Sequence, residues 1–73
     1  MRYAVLFERS GDGYGAYVPD LPGCVTVGDT LGEARNNIQE AISGHLATMM
    51  AHNETVLQPT TLVEYIEICG AAV

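Results

Sequence analysis

The chain contains no lysine and no tryptophan, and its three arginines oppose nine carboxylates, so the formal net charge at pH 7 is −6 over 73 residues. Proteins that bind nucleic acids neutralise phosphates with clustered Lys and Arg side chains. Arg2, Arg9 and Arg35 are too sparse to form such a surface. The composition therefore argues against direct nucleic-acid binding and favours a basic partner, although a net charge that merely maintains solubility explains it equally well.

Long apolar runs are absent too. No stretch reaches the roughly 20 apolar residues that a membrane-spanning helix needs, and residues 1–4 pass directly into a strand pattern without the apolar core of a signal peptide. We therefore expect a cytoplasmic protein that does not bind membranes. In that reducing compartment Cys24 and Cys69 are expected to be small buried apolar side chains, with a disulfide between them as the less favoured alternative.

The short length bounds the architecture. A chain of 73 residues forms one domain and buries only roughly 60–65% of its unfolded surface, so an isolated monomer is marginally stable. We predict a single domain over residues 1–69, a short tail over residues 70–73, and association into a homodimer or homotetramer.

Alternating side chains predict three strands in the first part of the chain. Residues 2–9 and 14–18 flank a glycine-rich turn, and residues 24–27 follow a loop that contains two prolines. Such turns connect antiparallel neighbours, which gives a three-stranded meander. Both faces of the first strand carry apolar side chains, so we expect the sheet face away from the helix to be covered as well, for example by another subunit.

Residues 28–34 have the pattern of a helix start. Thr30 and Glu33 have the spacing of a capping box, in which the hydroxyl and the carboxylate each accept a hydrogen bond from a free backbone amide. From Leu31 onward apolar residues recur with the 3.6-residue period of a helix that packs one face on a sheet. The opposite face is mildly polar and leaves room for a partner; it includes Glu33, Asn36, Glu40 and Ser43.

A fourth strand is predicted over residues 60–68, which are rich in apolar and β-branched side chains and carry Glu64 and Glu67 as charges that guard an edge. A strand–helix–strand crossover within one sheet is right-handed, which places this strand beside the first strand and parallel to it. The predicted fold class is therefore α+β, with element order β-β-β-α-β and strand order 3-2-1-4.

Seven residues are candidates for contacts with a partner. Asp20 lies between two prolines in a loop, and the tyrosines of the second strand and the polar helix face provide further exposed groups. Two ordinary alternatives remain open: the tyrosines pack in the sheet, and the Asp20 carboxylate accepts a hydrogen bond within its turn. The candidates are Tyr14, Tyr17, Asp20, Glu33, Asn36, Glu40 and Ser43.

No metal, cofactor or catalytic site is predicted. His45 and His52 are seven residues apart, about 10 Å along a helix, whereas helical metal-binding pairs are four apart. Pairing of Cys24 with either histidine lacks the local signature of a cysteine nucleophile. We expect these histidines to be packed or at the rim of the core.

The motif order resembles that of the HicB-like antitoxin family: a tyrosine in the second strand, a P-D-L-P-G-C loop at residues 19–24, and G-D-T-x-x-E-A at residues 28–34. The resemblance implies a partial ribonuclease H-like fold. It also implies an antitoxin that binds and neutralises a small basic ribonuclease toxin, HicA-like and of double-stranded-RNA-binding fold, through the outer helix face and the loop of residues 19–23. An acidic surface suits such a partner.

The sequence is compatible with two other functions. Fuller family members carry a C-terminal DNA-binding segment that this sequence lacks, so we expect the chain not to bind DNA by itself. The second interpretation of its function is a homo-oligomeric binding module without a toxin. The third is an enzyme, because ribonuclease H-type folds hold magnesium with carboxylates. We expect no enzyme, since no aspartate lies on the first or last strand to join the glutamates Glu8, Glu40, Glu64 and Glu67.

Overall fold

The computed structural model describes residues 1–56 and 58–70. Strands β1 (Leu6–Ser10), β2 (Gly13–Tyr17) and β3 (Val25–Gly28) form an antiparallel sheet of order β1-β2-β3, and helix α1 (Leu31–Ala51) packs on one of its faces. The predicted α+β class, the three-stranded meander and the single long helix are confirmed for this part of the chain.

β1 begins later than the sequence pattern predicts, and its partner strand supplies the reason. Leu6 pairs with Tyr17, so an extension of β1 by two residues would place Ala4 opposite Pro19, which has no N–H to donate. The Val18 N–H turns away and donates to the Cys24 carbonyl, at 3.2 Å. Residues 2–5 therefore lie outside the ladder.

The loop between β2 and β3 contributes to the core. The Leu21 N–H donates to the Val18 carbonyl at 3.1 Å, and the Cys24 N–H donates to the Leu21 carbonyl at 3.0 Å. Gly23 adopts φ = +84°, a conformation that favours glycine. This tight path inserts Leu21 and Cys24 into the core, where each is 3% exposed.

The helix begins as predicted, with one difference in its capping. The Glu33 N–H donates to Thr30 Oγ1 at 3.0 Å, but Glu33 Oε1 accepts from the N–H of Asp29, at 3.3 Å, one residue before the cap. Gly28 lies against this first turn, because an ideal Cβ on it would be only 2.5 Å from the Ala34 nitrogen. The helix ends at Ala51, followed by a capping residue and Asn53 at φ = 55°.

The core lies between the inner sheet face and the helix. Its buried side chains come from β2, the loop between β2 and β3, and α1, and they are Ala16, Val18, Leu21, Cys24, Ala34 and Ile38. The outer sheet face is not covered by any described residue of the chain, and Val25 and Val27 there are 65% and 71% exposed. Cover for that face by another subunit stays a prediction.

The predicted fourth strand, residues 60–68, is not formed within the single chain. Residues 58–68 have no strand partner in the described structure, and β1 is an edge of the sheet. The physical reason lies at the root of the segment, where Thr60 and Thr61 are hydrogen-bonded to Asp20 and the residues that follow are exposed. Leu57, and residues 71–73, which belong to the predicted tail, lie outside the described residues.

Candidate protein-interaction surfaces

Four of the predicted contact residues form one stripe on the outside of α1. Glu33, Asn36, Glu40 and Ser43 are all exposed. At about 100° per residue they fall within a narrow arc opposite Ile38, whose side chain is 2% exposed in the core. Asn36, Glu40 and Ser43, together with Gln39, line a shallow depression on this face. The helical period alone therefore located a continuous polar surface.

A cluster of carboxylates extends this stripe at the start of the helix. Asp12, Asp29 and Glu33 line one depression together with Tyr14. Tyr14 is half-buried in β2, and the Arg9 guanidinium lies over its ring, 5.5 Å from the ring centre, a distance at which cation–π attraction operates. No sequence pattern indicates that Asp12, in a hairpin turn, lies close to Asp29 and Glu33.

We call this combined surface the acidic face: Asp12, Tyr14, Asp29, Glu33, Asn36, Glu40 and Ser43. It contains five of the seven predicted contact residues. The remaining two, Tyr17 and Asp20, lie elsewhere in the fold.

Tyr17 belongs to the outer sheet face. It is 37% exposed and stands in register with Leu6 on β1 and Val25 on β3. Val27 lies two residues farther along the same face of β3, beside Gly15. Together they form an exposed apolar patch, which makes Tyr17 part of a second surface rather than of the acidic face.

Asp20 is occupied within the chain. Its carboxylate accepts hydrogen bonds from the backbone N–H groups of Thr60 and Thr61, at 3.1 and 3.0 Å, and from their hydroxyls, at 3.3 and 2.8 Å. These hydrogen bonds, the Thr61 backbone bond above all, lower the pKa of Asp20 because they favour its charged form. The carboxylate anchors a distant segment, an arrangement that neither reading of the sequence anticipated.

Cys24 and His45 line the same groove, between the loop and the second half of α1. A reactive cysteine needs an environment that lowers its pKa. Here burial raises the pKa of the Cys24 thiol instead, so the thiol stays protonated at neutral pH. Cys69, in contrast, is exposed, which corrects the prediction that both cysteines are buried.

The described residues place the carboxylates of the magnesium hypothesis apart. Glu8 lies in β1 on the outer sheet face, whereas Glu40 lies on the far side of the helix that covers the inner face. No group of three His, Cys, Asp or Glu side chains that could hold a metal ion occurs among residues 1–56 and 58–70. His45 is half-buried and His52 is exposed at the helix end. Within the same residues, no helix is both long and apolar enough to span a membrane.

Comparison with known proteins identifies the family. A model of the HicB-like antitoxin of bacterial toxin–antitoxin systems matches residues 3–69. The chain belongs to the HicB-like antitoxin family. Its fold is similar to the crystal structure of the N-terminal domain of the Burkholderia pseudomallei antitoxin HicB, with a TM-score of 0.70 and 36% sequence identity over 78% of this chain and 69% of that one. The resemblance found in the sequence motifs is thus confirmed.

Relatives of this HicB-like chain occur in phage, archaea and cyanobacteria. It is 42% identical over 66 residues to a 14.9 kDa protein of Haemophilus phage HP1, covering 90% of this chain and 50% of that protein. It is 44% identical to a UPF0150 protein of Thermoplasma acidophilum, covering 77% of this chain and 83% of the relative. It is 39% identical to a UPF0150 protein of Synechocystis, covering 90% of this chain and 85% of the relative. The chain thus spans half the phage relative and most of the other two.

Proposed function

We propose that this protein is an antitoxin that binds and neutralises a small basic ribonuclease toxin of the HicA type through its acidic face. The observation that carries the proposal is the convergence of Asp12, Asp29 and Glu33 at the helix start, continued along the helix by Glu40. Membership of the antitoxin family supplies the class of partner. Because a ribonuclease toxin acts on cellular RNA, the proposal places the chain in the cytoplasm.

Electrostatics explains how such a face would inhibit. A ribonuclease holds the phosphates of its substrate in a basic groove, and carboxylates compete for the same cations. Glu33 and Glu40 lie seven residues apart, about 10 Å along the helix, so they can engage separate basic side chains. Opposite charge also accelerates encounter, an effect that salt weakens.

We propose different roles for the seven predicted contact residues, because they lie in different parts of the fold. Tyr14, Glu33, Asn36, Glu40 and Ser43 are proposed toxin contacts. Tyr17 is proposed to act in contacts of the apolar outer sheet face, and Asp20 is proposed to anchor the C-terminal segment rather than contact the toxin. We also propose that the position beside β1 is filled in the assembled protein, giving the strand order 3-2-1-4.

Inhibition of RNA cleavage tests the antitoxin proposal. A purified HicA-type toxin is mixed with labelled RNA, and the chain is titrated in at two salt concentrations. The wild type should suppress cleavage at near-stoichiometric amounts, more strongly at low salt. The double variant Asp12→Asn, Glu40→Gln should bind about tenfold more weakly or worse, mainly through a slower association rate.

The control variant is Glu8→Gln, which removes the same charge from the outer sheet face and should inhibit like the wild type. Equal inhibition by the double variant and the control would refute the acidic face as the contact. Cleavage that continues at a large excess of wild-type chain, with no complex in sedimentation, would refute the antitoxin role towards that toxin.

A homo-oligomeric binding module without a toxin is the second candidate function. The exposed apolar patch of Tyr17, Val25 and Val27 on the outer sheet face favours it, because a water-exposed patch of this kind commonly marks an interface. Recovery of the protein from its own cells distinguishes the two functions. A small basic protein that copurifies would support the antitoxin role, and a pure homo-oligomer would support the module.

A further inference from the structure

The C-terminal arm, residues 62–68, is an apolar segment whose large side chains are all exposed, Val63 the least at 48%. Leu62 is 90% exposed and Tyr65 is 101% exposed. In an extended conformation Leu62, Ile66 and Ile68 lie on one side, and Val63 and Tyr65 on the other. Strands with two apolar faces are found inside assemblies, where both faces are covered. The arm therefore has the composition of a buried strand and the exposure of a loop.

The same chain offers a site that fits a strand of this kind. β1 is an edge of the sheet, so one side of its backbone has no ladder partner. Beside it runs an open groove of about 270 Å³ between β1 and α1, with Val5 and Phe7 on one wall and Ile38 and Ile42 on the other. Side chains of an added strand would enter this groove and extend the core.

Charge in the groove matches charge on the arm. Arg35 lines the groove, and the arm carries Glu64 and Glu67. In an extended arm Glu64 lies on the same side as Leu62 and Ile66. The side that fills the groove with apolar groups therefore also brings the Glu64 carboxylate towards the Arg35 guanidinium.

The root of the arm is held so that the arm leaves its own sheet. Asp20 accepts four hydrogen bonds from Thr60 and Thr61, and exposure rises sharply from Leu62 onward. The molecule is 51 Å long but only 27 by 17 Å across. Its radius of gyration is 14.7 Å, against about 11 Å for a compact domain of this length. An anchored root with a projecting apolar arm is the form of a subunit that exchanges an element.

We infer that two copies of this chain exchange their arms: residues 62–68 of each copy add to the free edge of β1 in the other, parallel to it, and complete the order 3-2-1-4. The exchange is reciprocal about a two-fold axis, so each groove receives one arm and each arm is covered. A second copy is the occupant that matches the arm in number, in backbone pairing and in the Arg35–glutamate charge pattern. The inference concerns the pure chain and does not depend on any toxin.

Mixed isotope labelling separates exchange from self-pairing. Equal amounts of 13C,15N-labelled and unlabelled full-length chain are unfolded together and refolded, and isotope-filtered NOE spectra are recorded. Exchange predicts intermolecular NOEs between residues 62–68 and residues 3–9, with light scattering giving twice the 7.8 kDa chain mass. NOEs between these segments within one copy only, a monomeric mass, or an arm that contacts a different surface in the oligomer would each overturn the inference.

Proline variants test the backbone pairing. Only every second N–H group of a strand points to a given neighbour. One of the two variants Tyr65→Pro and Ile66→Pro therefore removes a ladder hydrogen bond to β1 in each arm. The more damaging of the two should raise the dimer dissociation constant at least about 100-fold, tenfold for each exchanged arm. The control Ile66→Val keeps the N–H and should stay within about threefold of the wild type. Helix content by circular dichroism should be equal in all variants, because the arm lies outside the helix and contributes no side chain to the described core. Unchanged dimerisation in both proline variants would refute the pairing.

Discussion

The close approach of β3 to the helix start predicts that Gly28→Ala is strongly destabilising. The added Cβ would lie 2.5 Å from the Ala34 nitrogen and 2.8 Å from its Cα, whereas ordinary contact begins at 3.4 Å. Both neighbours are backbone atoms, so relief requires the first turn of α1 to move by about 1 Å away from the sheet. Overpacking of this kind costs about 1–3 kcal/mol, and a rigid backbone neighbour favours the upper part of that range.

The stability loss expected for Gly28→Ala is a large share of the total free energy of unfolding of the domain. A protein of this length has a free energy of unfolding of about 4–11 kcal/mol. Alanine lowers the conformational entropy of the unfolded chain relative to glycine, which offsets about 0.4–1 kcal/mol of the overpacking cost. We therefore expect a net loss of about 2 kcal/mol in the free energy of unfolding. For a domain of this size that lowers Tm by roughly 8–16 °C.

Urea unfolding followed by circular dichroism at one fixed protein concentration measures the loss, since association would make stability concentration-dependent. Two alanine variants serve as controls. At Gly15 the nearest atom to the new Cβ would be the Thr26 carbonyl oxygen at 3.9 Å, and at Gly44 nothing lies within 4 Å. Gly44→Ala should stabilise by about 0.5–1 kcal/mol because glycine is unfavourable inside a helix, and Gly15→Ala should be close to neutral. A Gly28→Ala variant as stable as these two would refute the close-packing argument.

Two further predictions concern the helix cap at Thr30 and the anchor at Asp20. Thr30→Ala should lower the free energy of unfolding by about 1 kcal/mol, because the Glu33 N–H loses its acceptor. Thr30→Ser should retain most of the stability in the same urea assay, and equal losses in both variants would contradict the capping role. Because the pKa of Asp20 is lowered in the folded chain, its contribution to anchoring is present above the unfolded pKa, near pH 4, and is lost as the pH falls through the folded value. In 15N NMR spectra the Thr60 amide should titrate with a midpoint below pH 4, and this transition should vanish in Asp20→Asn; a midpoint at or above the unfolded value would refute the anchoring.

Local interactions made much of this fold predictable. The capping pattern at Thr30 places the helix start correctly because a hydroxyl and a free amide three residues apart meet wherever a helix begins. The loop that contains Pro19 and Gly23 bends because those two residues restrict or release backbone angles in any context. The outer helix stripe from Glu33 to Ser43 follows from the helical period alone.

The parts that sequence reasoning missed depend on partners far apart in the chain. Asp20 lies 40 residues from Thr60, and no local pattern indicates that its carboxylate accepts from that backbone. The predicted start of β1 is too early, because the limit comes from Pro19, which follows the partner strand β2. The crossover rule assumes that a strand returns to its own sheet, and it therefore predicts a fourth strand that does not form within the single chain.

The amino-acid sequence was sufficient to predict the three-stranded meander, the long helix, the acidic charge and the antitoxin family, because propensity, periodicity and motif spacing are properties of neighbouring residues. Which surfaces the protein presents became clear from the folded structure alone. It gathered Asp12, Asp29 and Glu33 from a hairpin, a loop and a helix into one acidic face, and it left an apolar arm exposed beyond Thr61. Which distant groups meet depends on how the packed layers bring separate segments together, and that information is spread over the whole chain.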